Sequence, residues 1–146
     1  MATRLQFFLH CRDVVDRDGT YDLRGVFDRL GVAHIPTEEH FHTMVGFSGM
    51  AKGKQRMSMR CVWPDGGETE HSYTIVADTG LTTVRLETQI LLDATGRHEW
   101  YVGHGDQNWG PFFLDVYVRD ERSEKEVGSE RTGVRRARGR TGGTEG

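Results

Sequence analysis

Between Leu5 and Val118 the apolar residues recur at every second position, not every third or fourth. Leu5, Phe7, Leu9 and Cys11 alternate with Gln6, Phe8 and His10. Phe41, Thr43, Val45 and Phe47 alternate with His40, His42, Met44 and Gly46. The same beat runs through Met57, Met59, Cys61 and Trp63, through Val84, Leu86, Thr88 and Ile90, and through Phe112, Leu114, Val116 and Val118. In an extended chain successive side chains point to opposite faces, so each run predicts a strand with one apolar face on a core and a more polar face outward. On this reading Leu5, Phe7, Leu9 and Cys11 face the core, and Phe8 and His10 face away.

The separators are turn chemistry. Asp18-Gly19 precedes a second strand near Tyr21 to Phe27, and Pro64-Asp65-Gly66-Gly67 leads into one near Glu68 to Val76. Asp78-Thr79-Gly80 and Asp93-Ala94-Thr95-Gly96 follow, the latter before a strand around His98 to Val102. Asp tolerates left-handed backbone and Gly supplies positive φ, so these points suit tight reversals. A short helical turn or loop fits between Asp28 and Glu39, and residues 49–54 read as a hairpin loop. About eight strands result, hairpin-linked and therefore mostly antiparallel. The fold class predicted is all-β, a β-sandwich of immunoglobulin-like or related type.

Composition bounds the rest. The chain has 146 residues, 36% hydrophobic and 28% charged, which suits one domain. After Val118 the character changes: residues 120–146 contain no aromatic side chain, and Val127, Val134 and Ala137 are their only aliphatic ones. Such a segment cannot bury enough apolar surface to offset its conformational entropy. The expected organisation is a sandwich domain over residues 1–119 and a disordered charged tail over 120–146. Arg135, Arg136, Arg138 and Arg140 in that tail are a candidate nucleic-acid contact, or a solvated, solubilising run. A net charge of −3 does not make the whole chain a basic nucleic-acid binder. No apolar stretch reaches the roughly 18 residues of a membrane span, and no secretory signal is legible, so a cytoplasmic protein is expected. Cys11 and Cys61 read as buried thiols.

Several segments together resemble an uncharacterised family of small bacterial β-sandwich proteins, a domain of unknown function. They are Phe7 to Val15, Tyr21-Asp22-Leu23-Arg24-Gly25-Val26-Phe27, Ile35-Pro36, Gly96 to Val102, and Gly110 with Phe113-Leu114-Asp115-Val116. Ile35 stands where that family's pattern has an aromatic residue before proline. The resemblance covers roughly Leu5 to Val118 and implies a sandwich with no known activity, so no catalytic residues are carried over.

Candidate chemistry is sparse. His40 and His42 share a strand face and form a usable metal pair, with His71, His98, His104 or Glu99 as distant third ligands. No carboxylate follows them before Asp65. The alternative is two exposed polar residues opposite Phe41 and Thr43. Aspartates crowd the first reversal, but the EF-hand spacing fails. No nucleophile elbow, P-loop or dinucleotide-binding glycine motif is present, so no cofactor is expected. Trp109, placed in a loop between Gly105 and Gly110, and Tyr101 on the outer face of its strand are the candidate ligand-binding residues. Three functions follow in order: a non-catalytic module that binds another protein or self-associates; a small-ligand or carbohydrate-binding module; a metal-dependent enzyme using His40 and His42.

Overall fold

The computed structural model describes residues 2–119. The expected disordered tail and its arginines, Arg135, Arg136, Arg138 and Arg140, lie outside the described residues. Within them the chain is all-β: β1 (Arg4–Arg17), β2 (Thr20–Phe27), β3 (Arg29–Val32), β4 (Thr37–Ser48), β5 (Gly53–Val62), β6 (Glu68–Ala77), β7 (Leu81–Leu92), β8 (Gly96–His104) and β9 (Gln107–Val118). They form a four-stranded sheet ordered β2-β1-β4-β7 and a five-stranded sheet ordered β3-β9-β8-β5-β6. Every pairing is antiparallel except that of β3 with β9, which is parallel.

Two corrections concern connectivity. Where a helical turn or loop was expected after Asp28, the chain forms β3. Leu30 and Val32 sit two apart and are both buried, so this short strand is fixed by its side chains. The second correction is the role of hairpins. They join β1 to β2, β5 to β6 and β8 to β9, while the other links cross between the sheets. Residues 49–52 are one such crossing and not a hairpin loop.

The core lies between the layers. One cluster gathers Phe41, Ile90 and Leu92 from the four-stranded sheet against Leu30, Met59, Cys61, Trp100, Leu114 and Val116 from the other. A second packs Val45, Phe47 and Val84 against Met57, Ala77 and Val102. The period-two reading of β4, β5, β7, β8 and β9 therefore assigns the inward faces correctly.

In β1 it does not. The pairing with β4 shifts by one residue between Leu5 and Phe7, so Gln6 is an extra residue in the strand. Leu5 packs against the inter-sheet core, and beyond the bulge the parity is reversed. Phe8 and His10 now point inward, and Phe8 stacks on Phe112 at 4.6 Å between centroids. Phe7, Leu9 and Cys11 turn to the outer face instead. There they cover Met44 together with Val14 and Leu23, and the ring of Phe7 lies over Gly46. This sheet is therefore apolar on both faces along part of β1 and β4.

A second bulge shapes β9. Its pairing with β8 shifts between Trp100 and Val102, and Gly110 takes φ +133° there. A Cβ on Gly110 would stand 2.7 Å from the carbonyl oxygen of Trp100. Gly80 has φ +84° but open space around it. Gly110→Ala should therefore cost about 2 kcal/mol or more, against about 1 kcal/mol for Gly80→Ala, in urea unfolding of the purified protein.

Candidate functional site

The side-chain reversal in β1 builds the most distinctive site on the molecule. β2 pairs with β1 only from His10 to Arg17, because the chain leaves that sheet after Phe27. It crosses at Asp28, whose carbonyl accepts a hydrogen bond from the Asp115 amide at 3.0 Å. It then runs as β3 beside Asp115 to Val118 of β9. On this flank residues 4–9 of β1 and 107–114 of β9 have no neighbouring strand. The flank is closed over part of its length and open over the rest.

A cleft of about 390 Å3 opens there, lined by Phe8, Leu9, His10, Val26, Phe27, Asp28, Phe112 and Phe113. That volume falls within the roughly 300–1,000 Å3 of binding pockets. Its rim is apolar: Val26 is 58% and Phe113 42% exposed. The opposite flank also ends in unpaired edges, those of β6 and β7. Those strands carry Glu68, Glu70, Arg85 and Glu87 but are uncharged over residues 71–77 and 88–92, as β1 is over residues 5–9. Charged side chains and bulges both protect sheet edges, and the β1 edge has the bulge at Gln6 but no charge over residues 5–9.

His10 is the buried polar member of the cleft lining, and Asp28 the exposed one. The Nδ1 of His10 lies 2.9 Å from Thr43 Oγ1, which lies 2.8 Å from Thr88 Oγ1. The ring contacts Phe8, Phe27, Phe41 and Trp100. Nε2 is buried without a hydrogen-bond partner among the described residues. Burial among these rings disfavours the charged imidazolium and pushes the His10 pKa down to about 3. His98, on the inner face of β8, is lowered for the same reason, partly opposed by its contact with the Gly96 carbonyl.

The residues singled out from sequence lie elsewhere. His40 and His42 share the outer face of the four-stranded sheet, as their spacing predicts. His40 is exposed and lies 3.6 Å from Glu38. His42 sits between Cys11 and Glu87, its Nδ1 buried and unpartnered. The suggested third ligands, His71, His98, His104 and Glu99, all belong to the other sheet, which face-to-face packing sets about 10 Å away. Among the described residues no group of three or more His, Cys, Asp or Glu is placed to hold a metal. The turn aspartates serve the backbone: Asp65 accepts from the Gly67 amide and Asp16 from that of Gly19.

Trp109 and Tyr101 are not brought together. Trp109 lies in β9, not in a loop, because the turn closes at Gly105-Asp106. Its ring packs 5.8 Å from that of Phe47, over the end of the core. Tyr101 occupies the outer face of the five-stranded sheet, donating its hydroxyl hydrogen to Glu99 at 2.8 Å beneath the guanidinium of Arg60. Arg97 and Arg29 cover Phe113 and Tyr117 on that face in the same way. Tyr101, Phe113 and Tyr117 are thus each paired with an arginine of the same molecule. Both cysteines are buried thiols, and burial pushes Cys61 up to about 12, far from the reactive range.

No protein-family model and no curated protein matches this chain. No helix among the described residues is long and apolar enough to cross a membrane.

The buried imidazole has a consequence for acid stability. In the unfolded chain His10 takes up a proton near its ordinary value of about 6.5, whereas in the folded chain it does so only near 3. Between these values the unfolded state binds more protons, so stability is lost as pH falls. This group alone contributes a slope of up to about 1.4 kcal/mol per pH unit near pH 5. Urea unfolding at pH 7, 5.5 and 4.5 should show that slope, and His10→Gln should flatten it whatever its own stability at neutral pH.

Proposed function

We propose that this protein is a non-catalytic interaction module that receives an extended segment of polypeptide along the open flank between β1 and β9. One observation carries the reading: an unpaired strand edge without charged side chains at residues 5–9 borders a cleft lined by six aliphatic and aromatic residues beside His10 and Asp28. Unpaired backbone amides and carbonyls favour an added strand, and pockets beside the edge select its side chains. The six residues 4–9 offer about 20 Å of edge, enough for a short strand. The likeness to an uncharacterised sandwich family belongs to this proposal, and one of the segments that carry it, Tyr21 to Phe27, leads to the crossing at Asp28. A cytoplasmic setting is part of the same reading.

The carbohydrate and metal readings gain no comparable support, since Trp109 and Tyr101 lie on opposite faces of their sheet and, among the described residues, His40 and His42 belong to no group of three His, Cys, Asp or Glu placed to hold a metal.

Panning random peptides on the full chain tests the proposal. Val26→Lys with Phe113→Lys charges the exposed rim without touching the core, while Leu91→Lys places the same charge on the other flank. Captured peptides should bind at least about tenfold more weakly to the rim variant and unchanged to Leu91→Lys. Recovery of no peptide, or of peptides indifferent to the rim charges, would overturn it.

A further inference from the structure

Resting on the reading of the flank as a strand-receiving edge, we infer that the side chain it takes into the cleft is a tyrosine, whose hydroxyl hydrogen-bonds His10 Nε2. His10 is only 3% exposed, yet it contributes to the cleft lining. Its Nδ1 is turned to β4, 2.9 Å from the hydroxyl of Thr43, the residue directly opposite it. An imidazole that directs Nδ1 to one neighbouring strand directs Nε2 away from that strand, here toward the flank that β2 leaves after Phe27. Nε2 is buried there without a hydrogen-bond partner among the described residues. A buried polar atom left unpaired is costly, and an incoming group that pairs with it gains a bond that folding leaves unmade.

The chemistry of the site selects the partner. Burial keeps this imidazole neutral at neutral pH, so one ring nitrogen donates and the other accepts. Which of them carries the proton depends on whether Thr43, itself bonded to Thr88, donates or accepts. A hydroxyl suits either arrangement because it does both, whereas a carboxylate only accepts and an ammonium or indole N–H only donates. A hydroxyl also brings no charge among the rings, where an unpaired charge is costly. Phe8, Phe27, Phe112 and Phe113 line the cleft, which favours an aromatic body to carry that hydroxyl. A cavity of roughly 150 Å3 suffices for a benzene ring. The cleft, at about 390 Å3, has room for one.

Reach agrees with this choice. The pairing of β2 with β1 stops at Phe27 beside His10, so an added strand continues that line opposite Phe8. Phe8 points inward and lies beyond the bulge at Gln6, in the regular part of β1. Directly opposed residues of a strand pair share a face, so a residue opposite Phe8 also points inward. Phe27 holds the place opposite His10, which puts the incoming residue on the diagonal from His10. Diagonal neighbours stand about 7–8 Å apart, a separation that aromatic side chains span and that serine and threonine are too short to cross.

Peptides captured by the full chain test the inference. Those whose binding depends on the Val26 and Phe113 rim should share a tyrosine, and replacing it with phenylalanine should weaken them at least about tenfold. His10→Phe removes the unpaired nitrogen, and toward that variant the tyrosine and phenylalanine forms should bind alike. A second comparison needs no variant. Titrated into the unaltered chain, p-cresol should bind at least about tenfold more tightly than toluene and shift the His10 ring nitrogens in NMR spectra. A merely apolar cleft gives the reverse order, because toluene has no hydroxyl to strip of water. Toluene matching p-cresol, or rim-dependent peptides that bind as well with phenylalanine, would overturn the inference, and the peptide result would leave the strand-receiving reading intact. Capture of no peptide is the failure of that reading itself, and the p-cresol comparison still decides what the cleft takes.

Discussion

The arrangement of this sandwich turns on one inserted residue. Gln6 is extra in the ladder between β1 and β4, and from it onward β1 shows the core the face that strict alternation assigns to solvent. Phe8 then meets Phe112 across the layers, and His10 meets Thr43 within its own sheet. Without that shift Phe7, Leu9 and Cys11 would enter the core, and the cleft lining would change with them. The bulge is held by more than backbone: the Gln6 amide donates to Ser48 Oγ at 2.7 Å, and the Phe7 ring finds room only because residue 46 is glycine.

Most of the architecture was legible because burial follows parity wherever a strand is regular. Met57, Met59 and Cys61, or Trp100 and Val102, could be placed from spacing alone, and all are buried. Bulges defeat that logic, since one extra residue leaves composition untouched and inverts every side chain beyond it. Phe8 stands between Gln6 and His10 on the more polar face of residues 5–11, so the contrast between the two faces is too weak to show the inversion. β3 escaped for a different reason: four residues give only Leu30 and Val32 as a signal. The cleft depends on both features, the reversed β1 and the crossing into β3, so it could not be read from the pattern. The failed pairing of Trp109 with Tyr101 has a simpler cause. Gly105-Asp106 closes the turn earlier than expected, and Trp109 joins a strand whose inner face it shares with Leu114.

Edges are where such a fold is most exposed to association, and the two flanks manage this differently. β6 and β7 each carry two charged side chains, Glu68 and Glu70 and Arg85 and Glu87, and on the outer face of the five-stranded sheet Arg29, Arg60 and Arg97 lie over aromatic rings. The β1 edge has neither device over residues 5–9. The same physics that stabilises the sheets, backbone groups in search of partners, is then available for assembly.

The row Thr88, Thr43, His10 spans β7, β4 and β1 as a polar tie across the interior of one sheet. Its net stabilising worth is modest, because each of these groups is well solvated in the unfolded chain. Its weight falls on wrongly assembled states. A slip of β4 by one position against β1 would send Thr43 to solvent and strand the imidazole among phenylalanines without a partner. The tie thus penalises misregistered topologies more than it deepens the native one, and it lets an apolar interior with few distinguishing marks settle on a single alignment.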